Sequence, residues 1–264
     1  MIVDRYYYHQ LNKQEQAIYK AIYDGVMAHQ DVIPIPARGQ MPKDMFERIY
    51  AAITRDNPLI YHLNQSACSI ASDMRGHLAF CPQYFFKMLK VKEYNRKIEK
   101  VVNDLVEELQ LLSCSDYEKE IRVHDWFCKN VEYDYEGMDR EKLKRVIASH
   151  NILGVFAFHK AQCEGIAKAV KVLLNAVDVR CIVATGEAWD SEESTLHAWN
   201  IVNIDGEPYQ LDVTWDIGAT CQRKNTIDYT YFNLTDVMMA RDHKADCKLP
   251  ECKATKANYY VRNK

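Results

Sequence analysis

The dipeptide Asp205-Gly206 is the tightest constraint in this chain. An Asp-Gly pair between two β-rich runs signals a two-residue hairpin turn, because such a turn needs positive φ at both central positions. The runs here are His197 to Ile204 and Glu207 to Val213, rich in Val, Ile and aromatic residues. The turn pairs Ile204 with Glu207 and Asn203 with Pro208, and the ladder extends to Trp199 with Asp212 and His197 with Thr214. Pro208 then falls at a non-hydrogen-bonded pair, where its missing N–H is tolerated. Residues directly opposite, and residues two apart on one strand, share a face. His197 and Asp212 thereby become diagonal neighbours, with β-carbons under about 7–8 Å apart. A slip of one residue places them on opposite faces.

A third strand is expected from Cys181 to Thr185, so the strands cluster late, after several helices. That order favours an α+β arrangement over a parallel βαβ sheet. Asn12 with Glu15 and Ser115 with Glu118 form capping boxes, each opening a helix. Ile18, Ile22 and Val26 give the first apolar stripe; Phe46, Ile49, Tyr50 and Ile53 give a second, which stops before Asn57-Pro58. Ile98, Val101, Val102, Leu105, Leu109 and Leu112 give a third. Between these, Pro34, Pro36, Gly39 and Pro42 mark a loop, and Arg75-Gly76 a hairpin. A boundary near Ser113 divides the chain into a mainly helical region, 1–112, and a functional core, 113–264.

With 264 residues, 48% of them hydrophobic, the chain can bury a sizeable core. Its 34 Lys and Arg against 37 Asp and Glu exert no global pull toward nucleic acid or anionic membrane. No run approaches the roughly 18 apolar residues of a membrane span. The opening Met1 to Tyr8 lacks the apolar run of a signal peptide, and nine scattered cysteines, an odd number, fit free thiols in a reducing, cytoplasmic setting better than a disulfide framework.

Cys163 stands where a loop, ending Ala161-Gln162, meets a helix whose apolar face is Ile166, Ala169, Val170, Leu173, Leu174 and Val177. A helix N-terminus favours thiolate, the nucleophilic form of cysteine. A small, buried, inert residue is the alternative reading of Cys163 alone. His197 and Asp212 change that weighting, because a nucleophile, a base and an orienting acid together make a Cys-His-Asp set.

Three blocks, Cys163-Glu164-Gly165-Ile166-Ala167, His197-Ala198-Trp199-Asn200 and Leu211-Asp212-Val213-Thr214-Trp215-Asp216, occur in that order. They resemble the signature blocks of the transglutaminase-like superfamily. Tyr231-Phe232-Asn233-Leu234-Thr235-Asp236 and Arg241-Asp242-His243 resemble the tail of its bacterial members. The resemblance covers the second half of the chain. It implies a papain-like fold, with the Cys helix packed on an antiparallel sheet, and assigns nucleophile, base and orienting acid to Cys163, His197 and Asp212. The chemistry it implies is acyl transfer from a peptide or carboxamide carbonyl of a protein or peptide substrate. Hydrolysis, amine cross-linking and a non-catalytic scaffold on the same fold stay open. Neither a cofactor nor a metal is implied.

The first oxyanion donor is expected at the Cys163 backbone N–H. Gln162, Trp126 and Trp199 each carry a possible second donor, although Trp126 also reads as a core aromatic and Trp199 as a cleft wall. Asp216 rivals Asp212 as orienter but lies past the point where His197 has a strand partner, and His159-Lys160 reads as an exposed loop that would otherwise raise the potential near Cys163. His243, Cys247 and Cys252, near Asp242 and Asp246, lack zinc spacing and read as a solvated loop. Asp190 to Glu193 reads as a solvated acidic turn between two strands, whose position beside His197 would also suit gating substrate.

Overall fold

The computed structural model describes residues 5–136, 147–190, 193–223 and 226–264. These form two compact units, Arg5–Lys97 and Ile98–Lys264. Their architecture is α+β.

In the first unit, helix α1 (Lys13–Met27) opens on the expected box: Asn12 Oδ1 accepts from Glu15 N and Glu15 Oε2 accepts from Asn12 N. It buries Ile18, Ile22 and Val26. Helix α2 (Lys43–Asp56) buries Ile49, Ala52 and Ile53 and ends at Asn57. Residues 33–38, expected as a loop, are instead strand β1 (Ile33–Arg38). It lies at the edge of an antiparallel sheet with β2 (Ser69–Ser72) and β3 (His77–Cys81), in the order β1-β3-β2. Edge strands tolerate proline because one side has no partner to receive a donor. Pro34 and Pro36 are exposed while Ile33 and Ile35 face the core. The β2–β3 turn carries Gly76 at φ 75°, as the Arg75-Gly76 signal requires.

Helix α3 (Met88–Glu108) keeps Ile98, Val102 and Leu105 buried. Its stripe stops short of Leu112, which is exposed. Gln110 takes φ 51° and breaks the helical phase, so Leu111 turns inward instead.

The second unit is built on helix α4 (Asp116–Asn130), helix α5 (Ile152–Phe158), the short parallel pair β4 (Glu132–Tyr133) and β5 (Lys160–Ala161), and helix α6 (Cys163–Ala176). Ser115 and Glu118 cap α4 reciprocally. α6 packs on an antiparallel sheet of β6 (Cys181–Asp190), β7 (Glu193–Ile204), β8 (Glu207–Leu211) and β9 (His243–Ala245), in the order β8-β7-β6-β9. Asp205 and Gly206 take φ 52° and 89°, and Ile204↔Glu207 and Asn203↔Pro208 pair as the turn dictates. The ladder ends at Asn200↔Leu211. Residues 213–222, read partly as strand, form helix α7 (Val213–Gln222) with Asp212 as its N-cap. Thr214 therefore never lies across from His197. An Asp followed by free backbone N–H groups caps a helix more readily than it continues a strand. Beyond α7 lie the short helices α8 (Asp236–Met239) and α9 (Tyr259–Arg262).

Two buried polar contacts fasten α4 to the rest of this unit. His124 Nε2 lies 3.1 Å from Asp216 Oδ2, and Glu120 Oε2 accepts from Asn233 Nδ2 at 2.7 Å. Glu120 Oε1 and Asn233 Oδ1 have no hydrogen-bond partner, and burial pushes the Glu120 carboxyl up to about 8.

Candidate active site

Cys163 is the first residue of α6, preceded by Gln162 in extended conformation. The turn into α6 is fixed from below. Gln162 N donates to Ser149 O at 2.9 Å, and a Cβ on Gly165 would lie 2.5 Å from that same carbonyl. Only glycine admits so close a backbone approach. Helix and sheet are tied by Asn200, whose Nδ2 donates to Ala167 O at 2.9 Å and Ile182 O at 3.1 Å. Cys163 packs on the core formed by Ala167, Val183 and Ala198. The Cys163 and His197 blocks thus meet through Ala167, Ala198 and Asn200.

His197 comes from the buried stretch of β7. Its Nε2 lies 2.7 Å from Asp212 Oδ2, and the Cys163 thiol hydrogen-bonds the same imidazole. With Nε2 held by Asp212, Nδ1 is the nitrogen left for Cys163. Asp212 is fully buried; its Oδ1 accepts from Thr214 N at 2.9 Å and Trp215 N at 3.2 Å. One carboxylate therefore caps α7 and holds the imidazole. Burial opposes charge on both partners, but their mutual attraction and hydrogen bond prevail. Asp212 stays far below the usual carboxylate range, and His197 is pushed up to about 10 by Asp212 first and Cys163 second.

The expected site residues Cys163, His197 and Asp212 are thus brought together. The donor candidates fare differently. Trp199 Nε1 is held by Gln210 Oε1 at 2.7 Å, while its ring stacks 6.2 Å from His197. Gln162 is buried and its Nε2 donates to Asp134 O at 3.3 Å. Trp126 is buried on α4 against Phe127 and His159. Asp216 is committed to His124 and to Tyr231 N, and burial pushes it up. His159 approaches Asn130 O and Lys160 pairs with Glu132. Of the acidic turn, Ser191 and Glu192 lie outside the described residues; Asp190 pairs with Glu193.

Two residues escaped the sequence reading. Tyr133, on β4, carries a phenol that burial pushes up to about 12, with Cys163 and Asp212 adding to the shift, so its hydroxyl stays protonated beside them. His243, expected in a solvated loop, is 4% exposed. It reaches the site because β9 pairs with β6 from Gly186 to Ala188, so closely that a Cβ on Gly186 would lie 2.0 Å from Lys244 O. His243 Nε2 stands 3.0 Å from Asp212 Oδ2. Its presence in the Arg241-Asp242-His243 segment was the one available signal.

His197, Asp212 and His243 bring ligand-type atoms within 4.8 Å of one another, the only such group among the described residues. Both Nε2 atoms point at one carboxylate oxygen at 2.7 and 3.0 Å, the spacing of N–H donors on an acceptor. Hydrogen bonds alone account for this cluster.

Residues 103–212 match the family model of the transglutaminase-like superfamily. The chain is 27% identical over 177 residues to kyphoscoliosis peptidase of Mus musculus, covering 62% of this chain and 26% of that protein. Against its Homo sapiens counterpart it is 27% identical over 165 residues, covering 57% and 23%. It spans about a quarter of the length of these curated relatives. A solved structure of a TGase aligns with TM-score 0.39 and 14% identity, over 67% of this chain and 49% of that one. Among the described residues, no helix is long and apolar enough to cross a membrane.

Proposed function

We propose that this chain is a thiol-dependent acyl-transfer enzyme acting on peptide or carboxamide bonds of protein or peptide substrates, with hydrolysis as its main outcome. The observation that carries the reading is the fully buried Asp212 holding His197 Nε2 at 2.7 Å while the other face of that imidazole meets a cysteine at a helix start.

In this reading the proton of the Cys163–His197 pair rests on His197 Nδ1 and the sulfur attacks the carbonyl carbon. The oxyanion is met by the Cys163 backbone N–H and the Tyr133 hydroxyl. As the C–N bond breaks, His197 returns its proton to the leaving amine and a thioester remains on Cys163. Water then attacks, His197 takes its proton, the C–S bond breaks and the proton goes back to sulfur. An amine replacing that water gives cross-linking instead, which is the second reading. The match of residues 103–212 to the transglutaminase-like superfamily model supports acyl transfer and leaves the acceptor to experiment.

The test pairs Cys163→Ala with wild type on fluorescent peptide and amine-donor substrates. Peptide cleavage lost by about 10³-fold or more in the variant is expected. Equal turnover in both proteins would return the chain to a scaffold reading, and amine incorporation without cleavage would make it a cross-linker.

A further inference from the structure

We infer that His243 is a positioning residue of this site, clamping the Asp212 carboxylate oxygen that His197 also holds. The inference rests on the acyl-transfer reading and deepens it. Asp212 Oδ1 is fixed by two backbone N–H groups, and Oδ2 is shared by His197 Nε2 at 2.7 Å and His243 Nε2 at 3.0 Å. His243 is itself held from behind. Its Nδ1 lies 2.6 Å from Asp242 Oδ1, and Asp242 Oδ2 accepts from the Tyr231 hydroxyl at 2.7 Å.

Two bare acceptors at that separation repel, so a proton lies between Nδ1 and Asp242 whichever atom formally holds it. A lone pair on Nε2 would likewise face a carboxylate. Nε2 is therefore an N–H donor toward Asp212 in every consistent assignment. The ring is packed among Trp215 at 4.6 Å, Trp199 and His197 at 5.3 Å, and Tyr231 at 5.6 Å, so it cannot turn away. The charged and titratable groups facing it are Asp212, Asp242, His197 and Tyr231.

The clamp does two things. It stops the carboxylate from rotating off His197, and it draws charge from Oδ2, so Asp212 stabilises the His197 imidazolium less than it would alone. The proton on Nδ1 then leaves more readily for the amine.

Three variants test this. His243→Phe keeps the ring volume and removes the donor. His243→Gln returns an amide N–H near the position of Nε2. Asp242→Asn loosens the clamp at a side chain that is 19% exposed. In His243→Phe, kcat is expected to fall about 10- to 100-fold with KM within about 2-fold, the scale on which outer hydrogen-bond partners act. The His197 imidazole titration, followed by NMR on 15N-histidine-labelled protein, shifts to higher pH in His243→Phe and less far in Asp242→Asn. His243→Gln recovers part of both. A residue that merely packs would lower the folded fraction without moving that titration. Wild-type kcat and an unmoved His197 titration in all three variants overturn the clamp. Turnover surviving in Cys163→Ala overturns the enzyme reading beneath it, so the two failures are told apart.

Discussion

Asp212 Oδ2 lies 2.7 Å from His197 Nε2 at the point where strand β8 gives way to helix α7. The hydrogen bond is short because the chain bends there. A strand continued past Leu211 would hold the two side chains as diagonal neighbours, whereas the N-cap conformation, φ −118° and ψ 89°, delivers the carboxylate to the imidazole.

Asp212→Asn separates the two duties of this residue. An amide oxygen still caps α7, so the variant is expected to fold. The imidazole loses its anionic acceptor, and kcat falls by about 10⁴-fold. The His197 proton is also lost at lower pH, since the charge that pushed it up to about 10 is gone. The basic limb of kcat/KM, near pH 10 in wild type, moves down in the variant. Asp212→Ala additionally costs about 1 kcal/mol of stability through the lost cap, read by denaturant titration.

Cys163 is expected to alkylate first among the nine cysteines under limiting iodoacetamide at neutral pH, located by mass spectrometry. Cys221 is exposed but has no histidine partner among its described contacts, and Cys252 is buried with its thiol pushed up. Faster labelling at Cys114 or Cys221 counts against the assignment.

Tyr133→Phe removes a hydroxyl and leaves the ring against Tyr135. If the hydroxyl meets the oxyanion, kcat drops by about 10²-fold with KM little changed, since the donor acts on charge that exists only in the transition state. An unaltered kcat moves the second donor elsewhere.

Glu120→Gln concerns stability alone. The buried carboxyl is protonated up to about pH 8, whereas an unfolded Glu loses its proton near pH 4.3. Between those values unfolding releases a proton, so wild type grows less stable as pH rises. Glutamine removes that slope and lets an amide N–H reach Asn233 Oδ1, which has no partner. The variant is expected to melt higher, with a gain that widens from pH 5 to pH 8.

What could be read in advance divides by range. Asp205-Gly206 set the β7–β8 register because turn geometry is local, and Asn12–Glu15 and Ser115–Glu118 set helix starts for the same reason. The Cys163–His197 contact needed resemblance between distant blocks, since no local rule joins a helix start to a strand residue that far along. His243 stayed hidden because its approach depends on β9 pairing with the distant strand β6 at Gly186. The end of β8 was misread because Val213 and Trp215 are β-formers, and the capping power of Asp212 outweighed them. The prolines of β1 misled in the opposite sense: strong loop signals in the middle of a sheet, they are acceptable at its edge.

Those prolines bear on how the molecule behaves in a crowd. Because Pro34 pairs with Ala79 yet cannot donate, its nitrogen must face away from β3, and just beyond it the ladder breaks between Ile35 and Arg38. The outer rim of β1 thus lacks the N–H group at Pro34 and is irregular beyond Ile35. A second chain approaching that rim finds carbonyls without the alternating donors a ladder requires, so growth by strand addition, the first step toward a fibril, stops at this edge.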